Sequence, residues 1–395
     1  MRPSKHIAFE QNSTEGMLKL MNFEIRCTSC HKASFSILDF RCPSCGNPLD
    51  LCLGFNFEPG LVQLRNYSAW RYARFYPYVD AKDIITLGEG WIPLVRFSNT
   101  LYFKLDYLNP TGSFKDRGST TLISAIHRLV KKHGGYVAED SSGNAGASVA
   151  AYSARAQLKA KIYVPENVSG PKISQIKSYG MPVVKVAGSR SQVAEKAQRA
   201  EEGRFYVGHI FHPFFRDGIR TLAYEIAEQF NWKTPERIYL PVSAGTLLLG
   251  VISGFRHLAD SGTINNVPKI IACQTRQVSP LYHRIRKLKY KPPKKVTSVA
   301  DALVSTNPPL LDLMTKELQE IRGDAEIVDE KEIVDAFTEL AHKGFFVEPS
   351  SAVAYAAYQK QLRNKETPKT DKTVIVLTGH GLKTTLQPAS QWSAV

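Results

Sequence analysis

No apolar run in this chain reaches the ~18 residues that a membrane-spanning helix requires. The first sixteen residues, Met1 to Gly16, are polar and lack the apolar stretch of a secretory signal, so a cytoplasmic location is expected. No internal repeat or low-complexity tract is present, which excludes solenoids and disordered arrays. Cysteine is scarce, with six residues, and a reducing cytosol argues against disulfides among them. Acidic residues are the minority charge: 51 Lys plus Arg against 36 Asp plus Glu give a net +15. The densest basic stretch, Arg284 to Lys295, contains Pro292 and Pro293 and reads in part as an exposed loop. No nucleic-acid-binding motif accompanies it, so a solvated charged face is favoured over a nucleic-acid site. The positive balance suits small anionic substrates instead.

The chain's 395 residues, 43% hydrophobic and 22% charged, are enough for two or three packed units with a sizeable core. Residues 1–20 read as an N-terminal arm and 21–54 as a cysteine segment. A Tyr- and Arg-rich connection from Phe55 to Asp83 is expected to pack between units. From about residue 84 strands and helices alternate. Leu101 to Leu105 reads as a strand and Asp116 to Lys131 as a helix, and Tyr136 to Glu139 is a strand leading to a helix from Asn144. Further helices are expected over Pro171 to Ser178, Asp217 to Phe230, Thr246 to Leu258 and Glu330 to His342. Strands are expected over Val183 to Val186, Arg237 to Val242 and Thr373 to Leu377. This rhythm predicts an α/β protein with mostly parallel sheets, whose ligands sit beyond the carboxyl ends of strands.

Four of the cysteines form two CxxC pairs, Cys27 with Cys30 and Cys42 with Cys45, with eleven residues between Cys30 and Cys42. That spacing is a strong zinc-ribbon signal, with Phe35, Ile37 and Leu38 as the small apolar face of an intervening hairpin. Four thiolates close the coordination shell of Zn²⁺, so the expected role is structural. Cys52 and Cys273 read as ordinary buried thiols.

Three strands run into loops of small and polar residues. After the first comes N-P-T-G-S-F-K-D-R-G, residues 109–118, where Pro110 and Gly112 force a turn and Asp116 opens a helix. This places Lys115 at the mouth of the sheet, where Schiff-base chemistry needs a fixed, partly deprotonated lysine. A lone lysine there would read as a surface residue in a capped turn. The second loop, S-S-G-N-A-G-A-S at 141–148, lets backbone approach a planar ligand and offers helix-start amides to an anion. The third, P-V-S-A-G-T-L-L-L-G at 241–250, offers the amides of Ser243, Ala244, Gly245, Thr246 and Leu247 to a phosphate, with the Ser243 and Thr246 hydroxyls beside them.

Taken whole, the lysine string resembles the cofactor loop of fold-type II pyridoxal 5′-phosphate enzymes, and most closely that of the threonine synthases. L-G-E-G-W-I-P-L (87–94), V-E-P-S-S-A (347–352) and T-G-H-G-L-K (378–383) are similar to other segments of that family. The resemblance covers roughly residues 84–385. It implies two α/β subdomains within 55–395, the smaller roughly 98–210, with the cofactor between them, and it implies the homodimer common among such enzymes. It implies that Lys115 carries the cofactor, that Asn144 meets its phenolic oxygen, and that the Thr378 hydroxyl meets its pyridine nitrogen. The backbone of Ser142, Gly143 and Asn144 would hold the substrate carboxylate. The implied reaction converts O-phosphohomoserine and water to threonine and phosphate. A replacement enzyme on O-phosphoserine, a serine or threonine dehydratase, and an inactive relative acting as a binding module are the alternatives. The sequence departs from the family at the substrate phosphate: Ala145 replaces a threonine, and N-P-Y-R-x-E-G is replaced by H-P-F-F-R-D-G at 212–218. His212 and Arg216, by a local shift, are expected to supply the missing phosphate contacts.

Overall fold

The computed structural model describes residues 23–34 and 36–384. The N-terminal arm expected over 1–20 and the hairpin residue Phe35 lie outside the described residues. Three sheets organise the chain. Strands β1 (Phe23–Cys27), β2 (Ala33–Ser34) and β3 (Leu49–Leu53) form a small antiparallel sheet, in the order β2-β1-β3. The largest sheet has six strands, ordered β12 (Asp324–Val328), β11 (Lys269–Thr275), β10 (Arg237–Pro241), β13 (Thr373–Val376), β5 (Leu101–Lys104) and β4 (Leu94–Arg96). All its pairings are parallel except that of β4 with β5. A four-stranded sheet, ordered β8 (Val183–Val186), β7 (Lys159–Pro165), β6 (Tyr136–Glu139) and β9 (Arg204–Tyr206), is parallel throughout.

This is the α/β architecture expected from the alternating pattern. The parallel strands β10, β11 and β13 are almost wholly buried, as strands covered on both faces must be. Pro171–Ser178, Val183–Val186 and Glu330–His342 form as the sequence predicts. Glu330–His342 begins with a capping box in which Asp329 and Glu332 satisfy each other's backbone N–H. The helix expected over Asp217 to Phe230 differs. It is two helices, Pro213–Ile219 and Thr221–Gln229, meeting at Arg220. The first starts early because Pro213 suits the first helical turn, where no N–H is needed.

β10, β13 and β5 are neighbours, so the loops leaving their carboxyl ends lie side by side. These are the phosphate-type loop, the C-terminal T-G-H-G loop and the lysine loop. The Phe55 to Asp83 connection packs as expected: Trp70, Tyr72, Phe75 and Tyr76 are buried, and Tyr78 stacks on Phe214 with centroids 4.2 Å apart. The basic Arg284 to Lys295 stretch is largely exposed, with Arg284 paired to Asp312 and Arg286 to Asp324, each at 2.8 Å. Among the described residues no helix is long and apolar enough to cross a membrane.

Candidate active site

The lysine loop is held from below by buried charge. Asp116 accepts hydrogen bonds from the Thr111 hydroxyl at 2.6 Å, the Thr111 backbone N–H at 2.7 Å and the Ser148 hydroxyl at 2.6 Å, which pins the turn ahead of Lys115. Burial pushes the Asp116 carboxyl up to about 6, with these donors opposing. One residue on, Arg117 reaches Asp106 at 2.7 Å and Glu225 at 2.5 Å, and Glu225 also accepts from Lys104 at 2.8 Å. The Trp91 N–H donates to Glu225 at 2.7 Å, so the L-G-E-G-W-I-P-L segment is tied to the same network. Burial opposes the Glu225 charge, yet Arg117 and Lys104 hold its carboxyl at about 2. These four side chains are fully buried, and each has an opposite partner, as buried charge demands.

Lys115 begins the Lys115–Lys132 helix. Its amine lies 3.3 Å from the Thr246 hydroxyl and 4.5 Å from the Phe114 ring centroid. Burial lowers its pKa to about 8, with Glu139 pulling the other way. A lysine amine with that pKa is neutral about a tenth of the time at pH 7, far more often than an ordinary lysine, and the neutral form is the nucleophile.

The neighbouring loops close on this amine. The Phe114 N–H donates to the Thr378 carbonyl at 3.0 Å and the His380 N–H to the Gly112 carbonyl at 3.0 Å, stitching the lysine and C-terminal loops together. The Thr378 and Ser351 hydroxyls are 2.8 Å apart. Asn144 opens the Asn144–Arg155 helix and donates through Nδ2 to Glu348 at 2.9 Å. Its Oδ1 is buried without a partner, as is the Ser113 hydroxyl. Gly245, at φ +101°, turns the chain into the Thr246–Asp260 helix, whose first-turn amides have no helical acceptors. A Cβ at Gly245 would collide with the buried Met314 side chain and would sit at a φ that L residues rarely adopt, so this turn calls for glycine.

Of the two further residues expected at the substrate, Arg216 spends its hydrogen bonds elsewhere. The Arg216 guanidinium donates to the carbonyls of Leu49, Ile210 and Phe211 and pairs with Asp50 at 3.1 Å, so its bonds run to the cysteine segment and its own loop. Burial and the Arg216 charge push His212 down to about 3, so its ring is neutral at physiological pH. Phe215 and His209 face the lysine from this segment instead. Phe215 lies 5.9 Å from the Lys115 amine and 5.7 Å from the His209 ring, and His209 Nδ1 lies 2.7 Å from Glu139. Chain direction explains the exchange: on the Pro213–Ile219 helix Phe215 and Arg216 are consecutive and point about 100° apart, so a one-place shift of the arginine turns it away.

The cysteine segment carries a second candidate site. The four Sγ atoms of Cys27, Cys30, Cys42 and Cys45 all lie within 4.8 Å of one another. The Cys27–Cys45 and Cys30–Cys42 separations are 3.4 and 3.6 Å, close to the roughly 3.8 Å edge of a thiolate tetrahedron around zinc. Two matching turns present them: the Cys27 N–H donates to the Lys32 carbonyl and the Cys42 N–H to the Asn47 carbonyl, each at 2.8 Å.

Comparison with known proteins agrees with the lysine site. Residues 85–379 match the family described as pyridoxal-phosphate dependent enzyme. The threonine synthase of Methanocaldococcus jannaschii is 32% identical over 91% of this chain and 92% of that protein. That of Methanosarcina acetivorans is 28% identical over the same shares. The chain belongs to the threonine synthase family of pyridoxal-phosphate dependent enzymes. The fold is shared more widely. Maize serine racemase superposes with a TM-score of 0.63 at 23% identity, covering 77% of this chain and 91% of that one. Threonine deaminase isoform 2 of Solanum lycopersicum gives 0.65 at 20%, covering 82% and 87%. This is the fold-type II architecture.

The residues present fit the family's cofactor. A buried amine of lowered pKa, a glycine turn at a helix start, and two orphaned buried polar atoms suit a phosphorylated aromatic aldehyde. Glu348, Ser351, Glu139 and His209 were not singled out in the sequence. Glu139 ends β6, and a strand's carboxyl end was the one signal that pointed to it.

Proposed function

We propose that the chain converts O-phosphohomoserine and water to threonine and phosphate. The observation that carries this reading is the meeting of the lysine, asparagine and glycine loops around Lys115, in a chain whose relatives are threonine synthases. Pyridoxal phosphate, when bound, supplies the electron sink that makes proton removal beside the substrate amine feasible. Lys115 would attach it. Ser243, Ala244, Gly245, Thr246 and Leu247 would hold its phosphate at the helix start. Asn144, whose Nδ2 keeps one N–H to spare after Glu348, would meet its phenolic oxygen, and Thr378 its ring nitrogen.

The chain's own groups account for the rest. The Lys115 amine takes and returns protons at the substrate Cα and Cβ. The amides of Ser142, Gly143 and Asn144 orient the substrate carboxylate, as helix-start amides orient anions. Ser142 serves the leaving phosphate. The contacts of Arg216 with the cysteine segment argue against that role for it, and His212, which keeps an unpartnered ring nitrogen, is the better candidate of the two.

Residues 21–54 are read as a structural zinc ribbon on Cys27, Cys30, Cys42 and Cys45, ahead of a catalytic unit at 55–395. The support is the thiol geometry. None of the six cysteines is in a disulfide, which suits a cytoplasmic protein.

The test is phosphate release from O-phosphohomoserine, with O-phosphoserine run in parallel with and without sulfide. Threonine and phosphate from the first substrate are expected. Turnover of O-phosphoserine alone would replace this reading with a serine-based replacement enzyme.

A further inference from the structure

Lys172 lies outside every loop assigned above. It is the second residue of the Pro171–Ser178 helix, which follows β7 of the four-stranded sheet. Its amine lies 2.8 Å from Glu348 Oε1 and 2.9 Å from Asp301 Oδ2. Both acids belong to the part of the chain built on the six-stranded sheet. Glu348 precedes the Pro349–Arg363 helix, and Asp301 lies between β11 and β12. One cation therefore joins the two sheets' halves of the molecule.

The two partners differ in exposure. The Glu348 side chain is 1% exposed, and its second oxygen accepts the Asn144 amide at 2.9 Å. Asp301 is 53% exposed and sits in the S-V-A-D-A-L segment, 298–303. That segment is anchored to the same helix as Glu348, where the Ala302 N–H donates to the Ser350 hydroxyl at 3.0 Å. Lys172 is the only ion-pair partner of Glu348 among the described residues. Without it, the buried carboxylate beside Asn144 would keep only its longer-range interactions with Lys383 and His380, a costly state for a buried charge.

We propose that Lys172 is a positioning residue that fixes the orientation of Asn144, acting through Glu348. This rests on the functional reading above for the role of Asn144. The lysine is held between two anions, and Glu348, paired to it, is held against the asparagine amide. A chain of four side chains thus runs from the exposed Asp301 to Asn144.

The experiment compares purified holoenzymes of wild type, Lys172→Met, Lys172→Arg and Asp301→Asn. The visible absorbance of the bound cofactor is recorded against pH without substrate, and KM and kcat are measured with O-phosphohomoserine. Lys172→Met should shift the absorbance band or its pH midpoint and lower kcat about fivefold or more, the usual scale of a coupling between sites. Lys172→Arg should recover both in part. Asp301→Asn, which leaves the Lys172–Glu348 pair in place, should shift the absorbance less than Lys172→Met does. An unshifted absorbance in Lys172→Met, or an equal shift in Asp301→Asn, overturns the proposal. Should Lys172→Met fail to fold, Glu348→Gln keeps an acceptor for Asn144 without the charge, and the same absorbance shift is expected of it. If wild type releases no phosphate from O-phosphohomoserine, the functional reading fails, and the absorbance comparison alone decides the link.

Discussion

The Lys115 amine and the Thr246 hydroxyl lie 3.3 Å apart across two loops that leave different strands of one sheet. The contact gives the amine a neutral neighbour in a buried place, where only the Glu139 carboxylate favours its positive charge.

The first prediction concerns that amine. Its pKa is lowered to about 8 by burial, against an ordinary value of 10.5. Apoprotein mixed with pyridoxal phosphate should therefore gain visible absorbance at a rate that rises with pH and levels off above about 8. A rate still climbing at pH 10 would contradict the lowered pKa. Lys115→Ala should show neither the absorbance nor turnover, and normal absorbance in that variant would move the cofactor to another residue.

A second prediction follows from Glu225. Its carboxyl is depressed to about 2 in the folded chain by Arg117 and Lys104, against an ordinary 4.5, although burial opposes this. Its stabilisation is thus complete above about pH 4.5 and is lost as pH falls through about 2. Glu225→Gln should cost about 3–5 kcal/mol at neutral pH, because Lys104 and Arg117 lose a buried partner. The same variant should be less sensitive to acid over that window. Urea unfolding at pH 7 and at a series of acid pH values measures both. An unchanged midpoint at neutral pH would show that the network contributes nothing.

The third concerns the cysteine segment. Freshly purified, reduced protein should carry about one zinc per chain. Metal analysis that finds none defeats the ribbon. Arg216→Met should lower stability by about 1–3 kcal/mol through its buried hydrogen bonds while leaving KM within a fewfold of wild type. A direct phosphate contact would behave oppositely, with a large rise in KM and little change in stability.

Much of this was legible in the sequence, because the loops carry their chemistry in contiguous strings. Residues 109–118, 141–148 and 241–250 can each be read without knowing what lies opposite. The periodic helices were equally plain: Pro171–Ser178 starts at its proline, and Glu330–His342 announces its cap. Illegible were features made by distant partners. Glu348 meets Asn144 across 204 positions, and Arg216 meets Leu49 across 167. Short elements were missed for a different reason. β12 (D-A-E-I-V) carries two acids in five residues, and its burial against β11 overrides that weak local pattern. The Leu311–Glu320 helix follows closely on Pro308 and Pro309, although Leu311, Met314 and Leu318 recur at helical spacing.

The segment from Tyr206 to Arg216 has two faces. One is covered by the cysteine segment: Phe40 packs edge-on against Tyr206 at 4.6 Å, Arg41 lies 3.8 Å over Phe211, and Arg216 reaches Leu49. The other presents His209 and Phe215 to the lysine. The segment that faces Lys115 is thus an inner lining whose outer cladding is another part of the chain. Cut the protein at residue 55, and the cladding comes away with Leu49 and Asp50, leaving the Arg216 guanidinium with only its own loop to bind. A shortened chain of this kind has lost the outer support of the segment that faces Lys115, and its stability would not report on the whole.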